Sequence, residues 1–377
     1  MAGKLVPLGL DLYQPRDGRL ASPMRQKIDI IRSRDGVRLA CAQSGTGPPL
    51  VRAATWMTHA EYDWHGPVWR HWLRFLSSRH RLIRYDQRGV GLSDRNPGNV
   101  SFEDCVTDLE SVVDALDLQR FPLFGMSQGA AVAVEYTARH PERVERLLLY
   151  GGFPLGWHEA PNDLRRLWAA LQELAALGWE VEHCAFREIY GRLFAPESDA
   201  GQREWFADVA QKTTSGETAA RTIDMLGRVN VLRRLREVRC PTLVIHPERD
   251  AVIPLEAGRT LADGIPGAEL AILDSCNHIL LEHEPAWQRF QSLVNGFLPT
   301  AADPPCPLPD GEHLTRRQQD VLALLAEGLS NHEIAERLGI GEKTVRNHVS
   351  IILDKLGVHS RARAIVLAQH HPQQSRS

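Results

Sequence analysis

The sequence predicts a mostly parallel α/β sheet with a helical cap, followed across a spacer by a small all-α domain. Three observations carry this. Short apolar runs alternate with helical segments through residues 1–298, the pattern of a sheet covered on both faces. A proline-rich stretch, PTAADPPCPLPDGEH (299–313), then breaks every periodic pattern. Its prolines lack amide donors and fix φ, so it reads as a semi-rigid extended spacer. Residues 314–377 resume with helical periodicity and glycine-containing turns.

Composition narrows the function classes. The 377 residues, 43% apolar and 24% charged, suit an ordinary globular chain with two or three domains. A net charge of −3 excludes a uniformly basic nucleic-acid coat but not a small DNA-binding module. No apolar run approaches the roughly 18 residues of a membrane helix, so no membrane partner is expected. Residues 1–20 lack the apolar core and small-residue cleavage site of a secretory signal. The cysteines at 41, 105, 184, 240, 276 and 306 form no C-x-x-C pair, so neither a metal site nor a disulfide framework is expected. A reducing, cytoplasmic location and no cofactor follow as expectations.

In the first domain, strands are predicted at 39–43, 50–54, 82–86, 122–125, 147–151, 242–246 and 269–273, each an apolar run bounded by turn residues. Helices are predicted at 67–79, 102–116, 128–139 and 256–262. Residues from about 153 to 236, rich in Leu, Ala, Trp and Arg, interrupt the alternation and read as a helical insertion. An insertion at the carboxyl end of the sheet is placed to roof a pocket.

The segment from 121 to 152 carries the chemistry. A predicted strand runs into Gly125-Met126-Ser127-Gln128-Gly129 and then into a small-residue helix, the strand–turn–helix setting of a nucleophile elbow. The glycines permit a tight turn and close helix–strand approach. Ser127 then sits at a helix N-terminus, where backbone amides favour developing negative charge. A serine needs a base, and the base an orienting acid. Asp250 and His278 follow in the expected order, each just beyond a predicted strand, and no acid directly follows the strand at 147–150. The catalytic set is therefore Ser127, Asp250 and His278. Trp56, His59, Tyr62, Trp64, His65, Trp69 and Trp72 crowd the segment after strand 50–54. Some pack helix against sheet. Thr55, Trp56, His59, Trp64 and Met126 are the candidate walls of a ligand pocket, with cap tryptophans 157, 168, 179 and 205 above.

Residues from about 29 to 298 resemble the α/β-hydrolase superfamily, with YDQRGVGLSD (85–94) matching its second characteristic turn. The resemblance implies a core sheet, a helical cap and the triad just named. It also implies a His-Gly pair after the strand ending at Ala53, where this chain has Ala54-Thr55-Trp56. The amides of Gln128 and Trp56 are then the oxyanion donors. Loss of the flexible glycine re-aims that loop, and a missing donor costs about 2.7–4 kcal/mol of transition-state stabilisation.

In the C-terminal domain, Thr315 and Gln318 form a capping box opening a helix that ends at Gly328, and Ser330 and Glu333 form a second. Ile334 and Leu338 face inward on a short helix, which turns through Gly339. The next helix, 342–356, carries Val345, Val349, Ile352 and Leu356 on one stripe. Short helix, glycine turn and longer helix make a helix-turn-helix, and a fourth helix opens at 360–364. The outward side of the third helix bears Lys343, Thr344, Arg346, Asn347 and Ser350, side chains suited to base edges and phosphates. Arg316, Arg317, Lys355, Arg361 and Arg363 add cations around this face. Over 314–368, eight Lys/Arg stand against six acids, so affinity depends on charge placement rather than net charge. The stretch resembles the LuxR-type (GerE-like) DNA-binding domain over its whole length, with Gln318 where Glu is usual and Gly341 where Ser commonly caps the recognition helix. The resemblance implies DNA contacts from Lys343, Thr344, Arg346 and Asn347, a phosphate contact from Lys355, and pairing of two copies through the fourth helix.

The two halves together predict a one-component, ligand-responsive transcription regulator. Its expected partners are a two-fold symmetric DNA operator, a small organic effector, RNA polymerase and a second copy of itself. The alternative is an active serine hydrolase of esters, lactones or amides with an attached DNA-binding module.

Overall fold

The computed structural model describes residues 24–298, apart from 99 and 182–184, together with 316–355 and residues 361, 364, 365 and 368. Among these, eight strands form one sheet. In chain order they are β1 (Gln26–Arg32), β2 (Arg38–Ser44), β3 (Pro49–Arg52), β4 (Arg81–Tyr85), β5 (Phe121–Met126), β6 (Val144–Tyr150), β7 (Thr242–Pro247) and β8 (Glu269–Leu273). Their order across the sheet is β1-β2-β4-β3-β5-β6-β7-β8. β2 pairs antiparallel with β1 and β4, and every other pairing is parallel. β5 and β7 are buried along their whole length, which is why they read as unbroken apolar runs. The chain leaves β3 for β4 on one side and returns to β5 on the other. The switch point of the sheet is therefore the crevice beyond the carboxyl ends of β3 and β5.

Helices α1 (Ala60–His65), α2 (Arg70–Ser77), α3 (Phe102–Ala115) and α4 (Gln128–Arg139) cover the sheet with α9 (Leu255–Gly264) and α10 (Pro285–Phe297). The insertion between β6 and β7 is helical, as its composition predicts: α5 (Asn162–Gly178), α6 (Ala185–Phe194), α7 (Ala200–Thr213) and α8 (Gly216–Gly227). The helix expected over 67–79 begins only at Arg70, because the chain first makes α1 and a turn. Besides α1, two elements have no counterpart in the sequence expectations. β1 is an edge strand with Ile30 56% exposed, and its mixed burial leaves no clean alternation. α10 shows helical spacing in Trp287, Phe290, Val294 and Phe297 on its buried side. Trp72 lies in the core with Trp287, Phe290 and Tyr150 around it, so this tryptophan is packing rather than pocket. Among the described residues no helix is long and apolar enough to cross a membrane.

Beyond the spacer, which lies outside the described residues, α11 (Arg316–Ala326), α12 (Asn331–Leu338) and α13 (Glu342–Lys355) enclose a small core of Val321, Leu325, Ile334, Val345, Val349 and Ile352.

Candidate active site

Ser127 stands between β5 and α4 with φ 51° and ψ −123°, a backbone conformation held only where surroundings enforce it. Here a β-carbon on Gly125 would lie 2.6 Å from the Gly129 carbonyl oxygen, and one on Gly129 would lie 3.0 Å from that of Ala53. Helix and strand thus meet too closely for side chains at either glycine. The Ser127 amide donates to the Tyr150 carbonyl at 2.9 Å, tying the turn to β6.

Asp250 and His278 arrive from the loops after β7 and β8. His278 Nδ1 lies 2.6 Å from Asp250 Oδ2, and Asp250 Oδ1 accepts the amides of Val252 and Ile253 at 2.8 and 3.0 Å. A carboxylate that accepts these two amides is fixed in orientation and leaves one oxygen for the imidazole. The other ring nitrogen, His278 Nε2, is buried with no protein partner. It borders the cavity that also exposes Ser127. Gly151 at the end of β6 makes room for this pair: it has φ +52°, and a β-carbon there would lie 3.0 Å from His278 Cε1.

The cavity holds about 30 Å³ and is lined by Thr55, Trp56, Met57, Trp69, Met126, Ser127, Phe194, Phe206, His278 and Ile279. Thr55, Trp56 and Met126 stand where the sequence places them. His59 and Trp64 do not line it. The His59 ring accepts the Tyr62 amide as the cap of α1, and Trp64 packs half-buried against the core. The cap contributes phenylalanines to the cavity rather than the expected tryptophans: Phe194 and Phe206 stack at 5.8 Å, with Phe194 5.5 Å from the His278 ring. Trp179 instead stacks behind Trp56 at 6.0 Å. Helical spacing alone cannot tell these aromatic roles apart.

Both expected oxyanion donors lie at the switch point, and they are not equivalent. The Trp56 amide donates to Oε1 of the Gln128 side chain at 3.2 Å. Gln128 Nε2 in turn donates to Gln87 Oε1 of the turn after β4. The opposite amide orientation would set two donors against each other at Trp56. Gln128 is 2% exposed and its side chain is held at both ends, so one of the two amides expected as oxyanion donors is engaged by the protein itself.

Behind that loop lies a buried charged cluster that the sequence reading missed. Arg52, Asp63, Arg84 and Asp86 surround a second, smaller cavity. Asp86 Oδ2 accepts the Ala60 amide, Asp63 Oδ2 the His59 amide, and Arg84 donates to the Ala60 carbonyl. Arg52 lies over the Trp69 ring at 4.5 Å. Burial pushes the Asp63 carboxyl up to about 7 despite the nearby arginines, and lowers Arg52 to about 10. These groups come from three separate segments, so no local motif announces them.

The cap is fastened to the His278 loop. The Ile279 amide donates to the Phe194 carbonyl at 2.9 Å, and the Asn277 side chain bonds both the amide and the carboxylate of Glu197. On the far side His71 and Trp72 both hold the Leu280 carbonyl. Among the described residues no group of His, Cys, Asp and Glu is arranged to hold a metal ion.

In the C-terminal domain, Ser330 and Glu333 exchange both capping hydrogen bonds. Gly339 adopts φ 63° at the end of α12, and the Ile340 amide returns to the Ala335 carbonyl at 3.0 Å, closing the helix in the left-handed manner glycine favours. Thr344 and Arg346 on α13 are exposed, with Arg346 3.7 Å from Glu342. Lys343, Asn347, Ser350 and Lys355 fall within α13, but their side chains lie outside the described residues, as do Thr315, Leu356, Arg363 and most of the expected fourth helix. Two of the cations expected around the DNA face are structural. Arg317 donates to the Leu338 carbonyl, and Arg361 donates to Asn331 and the Leu329 carbonyl.

Two family models match separate stretches of the chain. Residues 312–368 match the family of bacterial regulatory proteins, luxR family, and residues 74–286 match the family described as serine aminopeptidase, S33. A 2-hydroxymuconate semialdehyde hydrolase from Pseudomonas sp. (strain CF600) is 30% identical over 71% of this chain and 92% of its own length. A carbamate hydrolase, itself named putative, from Azorhizobium caulinodans is 26% identical over 67% of this chain and 92% of its own. Among solved structures, a hydrolase from Pseudomonas aeruginosa PA01 superposes with a TM-score of 0.59 at 24% identity, over 71% of this chain and 96% of its own. A meta-cleavage product hydrolase from Pseudomonas fluorescens IP01 does so with 0.57 at 21%, over 71% and 95%.

Proposed function

Because the chain belongs to the α/β hydrolases and ends in a luxR-family DNA-binding domain, we propose that it is a one-component transcription regulator whose hydrolase-fold domain binds a small organic effector. The proposed division is 1–298 for effector binding, with a cap from about 153 to 236, then 299–313 as spacer and 314–377 for DNA. The observation that carries the sensor reading is the Trp56 amide donating to Gln128 Oε1. A site with one of its two oxyanion donors engaged internally still binds a carbonyl compound through Ser127 and His278. It stabilises a tetrahedral oxyanion poorly. The lining is mostly apolar, with Thr55, Ser127 and His278 as its polar groups, which suits a small unsaturated or aromatic carbonyl compound. Because one relative is named a 2-hydroxymuconate semialdehyde hydrolase, unsaturated semialdehydes are among the first effectors to try.

A cavity of about 30 Å³ holds one or two waters and no such molecule. Effector entry therefore requires the Phe194–Phe206 edge of the cap to move. Because Phe194 and Glu197 are bonded to the His278 loop, cap and loop move together. An effector shifts an equilibrium only by its differential affinity for two states. Here those states are cap closed and cap displaced. DNA is engaged through Lys343, Thr344, Arg346, Asn347, Ser350 and Lys355, by a dimer on a two-fold operator.

A second reading is favoured by the Asp250–His278 pair and the unpartnered Nε2 beside Ser127. In it the protein turns over esters or lactones. Ser127 Oγ attacks the carbonyl while His278 Nε2 takes its proton, Asp250 orients the imidazole, and the proton then goes to the leaving oxygen. The readings separate in one set of assays on the full chain. Duplexes from the gene's own promoter region are tested by gel shift with and without candidate carbonyl compounds, and a nitrophenyl ester panel is run beside Ser127→Ala. The regulator reading expects a shifted duplex whose affinity changes with a saturable ligand, and little Ser127-dependent turnover. Failure of every promoter duplex to shift overturns it, and turnover at ordinary enzymatic rates favours the hydrolase.

A further inference from the structure

The cap helix α5 presents two apolar stripes. One, Trp168, Leu171 and Ala175, is buried in the domain. The other faces solvent: Leu167, Ala170, Leu174 and Leu177, continued by Val181 just past the helix end. Leu177 is 77% exposed and Val181 52%. Of the eleven large hydrophobic residues exposed among the described ones, Leu167, Leu174, Leu177, Val181 and Ile189 come from this part of the cap. Leu167, Leu174, Leu177 and Val181 share one stripe, whereas scattered single exposures are ordinary. The spacing of the outer stripe is three, four, three, four, the seam of a two-helix coiled coil.

We propose that this face is where two copies of the chain associate, α5 against α5 in antiparallel orientation about a two-fold axis. The charges beside the seam select the occupant and its direction. Arg166 and Glu173 are exposed seven residues apart along one flank, which the exposed Glu180 continues just past the helix end. The other flank holds Leu164, Leu171 and Gly178, has no charge and turns toward the domain, where Leu171 is buried. When two such helices run antiparallel, like flanks face each other, and Arg166 of each copy falls between Glu173 and Glu180 of the other. When they run parallel, each charged flank meets an uncharged one and the ion pairs are lost. A self-complementary patch of this kind is what a two-fold interface requires. The proposal is independent of whether the cavity senses or hydrolyses its ligand. It differs from pairing through the DNA-binding domain because it joins the caps.

The test is the mass of the full chain in solution by light scattering or sedimentation at micromolar concentration, with thermal unfolding to establish that variants are folded. Wild type is expected at twice 42.2 kDa. Leu174→Glu with Leu177→Glu is expected at the monomer mass with unfolding unchanged, since both side chains are exposed. Arg166→Glu alone is expected to weaken association at least several-fold, and Arg166→Glu combined with Glu173→Arg and Glu180→Arg to restore it, because the exchanged charges remain complementary between antiparallel copies. A monomeric wild type, or a dimer that persists in the Leu174/Leu177 variant, overturns the interface. A dimer indifferent to Arg166→Glu overturns the antiparallel arrangement.

Discussion

In the proposed site, the Gln128 side chain decides whether the Trp56 amide is open to a ligand oxygen. Its side chain occupies the Trp56 donor and is itself anchored by Gln87. Truncation releases that donor without touching Ser127, Asp250 or His278. Gln128→Ala is therefore expected to raise Ser127-dependent hydrolysis of nitrophenyl esters by up to about 10²-fold, the scale of one oxyanion donor. A rate equal to or below wild type means the Trp56 amide is not what limits turnover. At Gly151 the expected change has the opposite sign. With φ +52° and His278 Cε1 3.0 Å from any added β-carbon, Gly151→Ala incurs backbone strain of about 1–3 kcal/mol and presses on the imidazole. Lower thermal stability is expected together with loss of any turnover. A variant as stable and active as wild type would show that β6 yields to the added methyl.

At the scale of elements, the short helix α1 and the loop before it are held by groups from β3 and β4. Asp63 is buried among Arg52, Arg84, Asp86 and the His59 amide, and burial raises its carboxyl to about 7 from the ordinary 3.8. The folded state thus keeps a proton that the unfolded chain releases at lower pH. The stabilisation this represents is complete below about pH 4 and is lost as pH rises through about 7. His59 and Asp86 titrate in the same cluster, with His59 lowered and Asp86 raised, so the informative quantity is a difference. The stability of wild type minus that of Asp63→Asn, followed by thermal unfolding, is expected to decline from pH 5 to pH 8. A pH-independent difference would mean that Asp63 is ionised throughout, with the two arginines outweighing burial.

At the scale of the whole molecule, two folds with separate cores are carried on one chain, and DNA binding tests the smaller one. Arg346 is exposed on α13, 3.7 Å from Glu342. Arg346→Ala is expected to weaken operator binding by about 1–3 kcal/mol if it reads a base edge, with relaxed preference at that position. A uniform loss across sequences with a shallower salt dependence would make it a phosphate contact instead. Much of this architecture was legible in the sequence because it is written in local signals. Alternating apolar runs marked seven of the strands, the Gly125–Gly129 turn marked the elbow, and Ser330 with Glu333 marked the start of α12. These features depend on residues within a few positions of one another, where backbone sterics and short-range hydrogen bonds decide. Only the tertiary structure decided that Gln128 closes over Trp56, that phenylalanines rather than tryptophans roof the cavity, and that Asp63 sits among two arginines. Those contacts join residues distant along the chain, and their partners are chosen by sheet order and packing, which no local pattern encodes.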